Sequence, residues 1–139
     1  MSSSAVILFA HGAREPEWAR PFEDVRDRLR SDRLRVELAY LEIMKPSLEE
    51  AARLLVAEGV RLVIVVPLFL AQGKHLKRQL PEMLAALRRK HVGTEFRAMP
   101  ALGDEPEILA AITAWVKRAA RRKKTPVRAG AREESEADR

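Results

Sequence analysis

The run Leu62 to Leu68, LVIVVPL, is short, continuous and apolar, rich in Val and Ile. Its length and β-branched content read as a strand, and the absence of polar alternation places helices over both of its faces. A strand of that kind commits the chain to a parallel α/β sheet, because antiparallel strands with one wet face alternate. The chain then passes through Phe69, Leu70, Ala71, Gln72, Gly73 and Lys74 to reach His75. A second apolar run, Ala5 to Ala10, ends on His11, and the following Gly12 allows a tight turn and close backbone approach. Two parallel strands that each deliver a histidine put both at the carboxyl edge of the sheet, where open α/β folds hold their ligands.

The remaining elements alternate as that architecture requires. Pro16 suits a helix start, and Trp18, Phe22, Val25 and Leu29 form the inward stripe of a first helix reaching about Arg30. Leu34 to Leu41 is a second strand, stopping at Glu42, and Pro46 opens a second helix whose buried stripe is Leu48, Ala51, Ala52 and Leu55. Gly59 ends it. A third helix follows His75, with Leu80, Met83, Leu84 and Leu87 inward; Pro81 predicts an irregular first turn with the regular helix after it. Thr94 to Met99 is a polar strand fit for a sheet edge, and a helix from Pro106 presents Ile108, Leu109, Ile112, Trp115 and Val116 to the core. Four strands and four helices in strict alternation predict a four-stranded parallel sheet with helices on both faces. The expected domain is 1–120.

Arg121 to Arg139 lacks apolar periodicity and reads as a charged, disordered tail carrying half of the net charge of +6. Its acidic residues follow the basic ones at once, so it solubilises, and neither nucleic acid nor membrane is expected as a partner. No apolar run nears the roughly 20 residues that cross a bilayer, and the amino terminus lacks a basic then apolar leader. With no cysteine, thiolate metal sites are excluded and a cytoplasmic location is the expectation. Any metal would be held by imidazole and carboxylate.

His11, Glu42 and His75 sit at the carboxyl ends of strands one, two and three. Two imidazoles and a carboxylate suit Co²⁺, Ni²⁺, Fe²⁺ or Zn²⁺ better than Ca²⁺ or Cu⁺, and so lean a set leaves coordination positions open for chemistry or transfer. Taken alone, each histidine also fits a polar strand end or a cap, and Glu42 fits the start of the next helix. His91 is assigned to a helix end without function. Neither GxxxxGK[ST] nor GxGxxG occurs, and no nucleophile elbow is present. Arg14 and Lys74 flank the two histidines and would make the pocket cationic, although each also fits solvated surface charge.

Three blocks, ILFAHGAREPEWARPFE, AYLEIMKPSLEEA and VVPLFLAQGKHLKRQLPEML, resemble in order the short form of the class II sirohydrochlorin chelatases, CbiX-type cobaltochelatases with relatives that insert Fe²⁺ or Ni²⁺. The similarity covers about Ala5 to Trp115. It implies a single chelatase-like, flavodoxin-like domain acting on a tetrapyrrole with many carboxylates, in cobalamin and tetrapyrrole biosynthesis. His11 would be a metal ligand and the base for a pyrrole proton, His75 the second ligand, and Glu42 a catalytic and substrate-touching carboxylate. Phe69, Leu70, Ala71, Gln72, Gly73 and Lys74 would line the macrocycle. This chain departs from the family at Lys74, commonly glycine, and at Gln79, commonly acidic. The metal would be substrate, with no tightly bound cofactor, and short forms pair as homodimers. A non-catalytic carrier of metal or tetrapyrrole on the same scaffold stays open, and turnover separates the two.

Overall fold

The computed structural model describes residues 3–122. By its contacts the chain divides into two compact units, one ending at Glu105 and one beginning at Pro106, inside the expected domain 1–120. The larger unit holds a four-stranded, all-parallel sheet in the order β2-β1-β3-β4: β1 is Ser4–Ala10, β2 Val36–Tyr40, β3 Leu62–Pro67 and β4 Glu95–Ala98. β4 lies at an edge as its composition predicts, with Phe96 its one buried side chain.

Strand alternation sorts the core into two clusters. Ile7 and Phe9 of β1, Val63 and Val65 of β3 and Phe96 pack with α2 (Leu48–Ala57) and α3 (Lys74–Lys90). Leu8, Ala10, Val36, Leu38 and Tyr40 meet Trp18, Phe22 and Leu29, from the 3-10 turn Pro16–Ala19 and α1 (Arg20–Ser31). Helices thus cover both faces, and the stripe Leu48, Ala51, Ala52, Leu55 is buried as its spacing predicts. Burial of these side chains stabilises the fold by roughly 1.5–3 kcal/mol for each large one.

Several expectations need correction. Val25 is 42% exposed, and Arg26 takes its place in the half-buried stripe of α1. α2 starts at Leu48 and not at Pro46, because the Ser47 hydroxyl accepts from the Glu50 N–H at 3.1 Å while the Ser47 N–H donates to the Glu50 carboxylate at 2.9 Å. That reciprocal cap satisfies two orphan donors and sets the first turn. α3 runs unbroken from Lys74 through Pro81, so His75 belongs to a regular first turn. Leu76, Leu80, Leu84 and Leu87 are all buried along it, and this packing outweighs the one hydrogen bond that Pro81 forgoes.

The second unit contributes α4 (Pro106–Arg121), none of whose side chains is buried: Leu109, Trp115 and Val116 are 44, 65 and 56% exposed. Among the described residues of this unit, the expected core-facing stripe Ile108, Leu109, Ile112, Trp115 and Val116 carries no buried side chain. Of the charged tail 121–139, only Arg121 and Arg122 fall within the described residues. No helix among those residues is long and apolar enough to cross a membrane.

Candidate active site

Main-chain contacts position the site before any side chain acts. Past the paired ends Ala10 and Tyr40, the ladder continues: the Leu41 N–H donates to the Ala10 carbonyl at 2.9 Å and the Glu42 N–H to the His11 carbonyl at 3.1 Å. Gly12 then turns with φ 102°, and a Cβ there would lie 1.9 Å from the Glu42 carbonyl oxygen. A side chain is excluded by both conformation and space. The segment after β2 is closed at its base by the Tyr40 N–H, which donates to the Pro46 carbonyl at 2.9 Å. Burial raises the pKa of the Tyr40 phenol, Glu23 adds to the rise and Arg26 opposes it, so this side chain stays neutral beneath the loop.

The exit of β3 is tied to the same place. The Leu68 N–H donates to the Phe9 carbonyl at 2.8 Å, and buried Phe69 meets the Phe9 ring edge to face at 5.7 Å and 78°. The Phe69 ring in turn meets the His11 imidazole at 5.8 Å and 80°, a geometry that aromatic quadrupoles favour. Gly73 caps α3 with extended backbone, and its carbonyl accepts from the Lys77 N–H at 3.1 Å. His75 is therefore the second residue of a rigid helix. Behind this loop, the 3-10 turn Leu102–Asp104 comes so close that a Cβ on Gly103 would lie 1.6 Å from the Leu70 carbonyl oxygen.

These elements surround one open cavity of about 360 Å³ lined by His11, Leu41, Glu42, Phe69, Ala71, Gly73, His75, Leu76 and Gln79. His11, Glu42 and His75, distant in sequence, thus share a single pocket, and all three are exposed to it or to solvent. Leu70, Gln72 and Lys74 of the same loop lie outside its lining. Leu41, Leu76 and Gln79 join the lining without having been assigned a role from the sequence, although Gln79, one helical turn after His75, was reachable from spacing. A smaller hollow of about 200 Å³, lined by His75, Arg78, Gln79 and Glu82, adjoins it along α3.

Among the described residues no group of three or more His, Cys, Asp or Glu side chains is placed to hold a metal ion. The donors on this cavity are two imidazoles and one carboxylate, groups of the kind that ligate divalent cations and accept protons.

Comparison with known proteins gives one consistent picture. The CbiX family model matches residues 5–119. A protein of Saccharolobus islandicus (strain L.S.2.15 / Lassen #1) named sirohydrochlorin cobaltochelatase is 34% identical over 106 residues, 76% of this chain and 78% of that one. A protein of the same name from Methanopyrus kandleri is 37% identical over 82 residues, 58% of this chain and 57% of that one. The crystal structure of the CbiX protein of Marinobacter aquaeolei VT8, assigned to cobalamin (vitamin B12) biosynthesis, superposes with TM-score 0.76 and 32% identity, over 86% of this chain and 99% of that one. The sirohydrochlorin chelatase SirB of Bacillus subtilis subspecies spizizenii, at 22% identity and TM-score 0.66, shares the fold, matched over 85% of this chain and 51% of its own.

Proposed function

Because the chain belongs to the CbiX family, we propose that it is a metal chelatase that inserts a divalent cation, Co²⁺ foremost, into sirohydrochlorin. The observation that carries this reading is the meeting of His11, Glu42 and His75 on one cavity. In the reaction the macrocycle gives up two pyrrole protons, the metal takes their place between the ring nitrogens, and two protons leave with solvent. His11 and His75 hold the cation, and two protein ligands leave its other positions to pyrrole nitrogens. As the cation passes to the ring, the imidazole nitrogen that His11 frees takes a pyrrole proton, a task for which imidazole is suited near neutral pH. Glu42, whose backbone is bonded to that of His11, supplies a negative charge beside the imidazolium that results.

The stretch Phe69 to Lys74 borders the macrocycle, with Phe69, Ala71 and Gly73 on the cavity itself and Lys74 available to substrate carboxylates. The metal and the macrocycle are both substrates, and no resident cofactor is required. Fe²⁺ and Ni²⁺ compete for the same donors, so supply decides among them. We further infer a cytoplasmic homodimer. Support for the dimer comes from the exposed apolar side chains Leu109, Trp115 and Val116 of α4.

The test is His11→Ala in the full chain, with Co²⁺ insertion followed by the absorbance change of sirohydrochlorin. Loss of a base alone lowers the rate by about 10²–10⁴, and loss of a ligand adds to it. Because His11 is exposed but loses its edge contact with Phe69, the thermal midpoint should fall by only a few degrees. Full activity in this variant removes the assignment, and wild-type protein that binds sirohydrochlorin without accelerating metallation is a carrier.

A further inference from the structure

Ile43 is placed unfavourably in both backbone and side chain. Its φ of 71° lies in the left-handed region, which β-branched residues enter least readily. The Glu42 carbonyl accepts from the Met44 N–H across it at 2.7 Å, so Ile43 is the centre of a strained γ-turn. Its side chain is 63% exposed. Arg33, the other non-glycine with positive φ, closes α1: its N–H donates to the Arg30 carbonyl at 2.9 Å and the Leu34 N–H to the Leu29 carbonyl at 3.3 Å. That is an ordinary helix termination. Ile43 ends no helix.

The turn is held from outside. Glu42 is bonded to His11 through its N–H and pressed against Gly12 through its carbonyl, so Ile43 cannot relax without moving a residue of the cavity. Strain that surrounding structure maintains at a pocket is characteristic of a functional position. The polar groups of the cavity are suited to a cation, protons and carboxylates, whereas a tetrapyrrole also presents a broad apolar ring. Phe69 is buried and offers that ring little area. Among the described residues, the large apolar side chains that are exposed and adjoin cavity residues in sequence are Ile43, beside Glu42, and Leu70, between Phe69 and Ala71.

We propose that Ile43 is a specificity-determining residue for the macrocycle, an apolar lip that packs against the tetrapyrrole ring while the histidines and Glu42 work at its centre. This rests on the chelatase reading and adds a residue to it. The exposed side chain is covered only when the ring is bound, which places its contribution in substrate binding and not in folding.

The experiment titrates metal-free sirohydrochlorin, by absorbance, into wild-type chain and into Ile43→Asn, Ile43→Gly and Ile43→Leu. Asn and Gly accept a φ of 71°, so their thermal midpoints should match or exceed the wild type. Both should bind the macrocycle about tenfold more weakly, equivalent to about 1.4 kcal/mol, with KM for sirohydrochlorin rising in step. The kcat and the KM for Co²⁺ should stay within about twofold, and Ile43→Leu should keep near wild-type binding. Unchanged binding in Asn and Gly overturns the inference, as does loss in Leu equal to that in Asn, or loss accompanied by a change of oligomeric state on size-exclusion chromatography. A wild-type chain that does not bind sirohydrochlorin overturns the functional reading, and this inference with it.

Discussion

Replacing Gly12 with alanine should damage stability and activity together, and the structure sets the scale of each. At φ 102° an L side chain costs about 1–2 kcal/mol. The new Cβ would also meet the Glu42 carbonyl oxygen at 1.9 Å, where real contacts do not fall below 3.0 Å, so the carbonyl must retreat by about 1 Å. A shift of that size breaks the Glu42 N–H bond to His11 or the Met44 N–H bond to Glu42, each contributing about 0.5–1.5 kcal/mol. The expected loss is about 2–3 kcal/mol, within the stability of an ordinary domain, so the variant folds. Misplacing His11 and Glu42 by about 1 Å should lower kcat roughly 100-fold. Urea unfolding followed by circular dichroism gives the first quantity, and Co²⁺ insertion at saturating metal gives the second. Gly59→Ala is the control: its φ is 90° but no atom lies within 4 Å of the added Cβ, so it loses only the conformational part and keeps activity. Should Gly12→Ala unfold at the same urea concentration as Gly59→Ala and retain more than about half of wild-type activity, the backbone clamp has no role.

Gly103→Ala should push the Leu70 carbonyl away from a Cβ placed at 1.6 Å, costing about 1–3 kcal/mol by overpacking and weakening sirohydrochlorin binding; an absorbance titration and a thermal melt read both. Ser47→Ala removes the reciprocal cap of α2 and should cost about 1 kcal/mol in urea unfolding without changing the rate of insertion. Arg35 donates to both Glu58 carboxylate oxygens, at 2.8 and 2.6 Å, and this hydrogen bonding holds the Glu58 carboxyl below the usual glutamate range. A lowered folded-state pKa contributes stability above the unfolded value, lost as the pH falls through the lowered one. Arg35→Ala should therefore lose less stability than wild type as the pH falls below the ordinary glutamate value of about 4.3, and melts above and below that pH, in low salt, check the sign.

Much of this molecule could be read before any coordinates. The uninterrupted run at Leu62 meant a doubly covered parallel strand, the spacing of Leu48, Ala51, Ala52 and Leu55 meant a buried helix face, and the polar strand Thr94 to Met99 meant an edge. Those features are local, because period and burial are written into neighbouring side chains. His11, Glu42 and His75 were reachable too, since parallel strands must deliver their ends to one rim. What only the tertiary structure decided are contacts between residues remote in sequence: the Glu42 carbonyl against Gly12, the Leu70 carbonyl against Gly103, and the strained turn at Ile43 that the first of these holds in place. No periodicity encodes the approach of two loops. The apolar stripe of α4 teaches the same lesson in reverse: its spacing specified an amphipathic helix, but whether a partner surface covers it depends on the assembled fold, and here Trp115 and Val116 remain open to solvent.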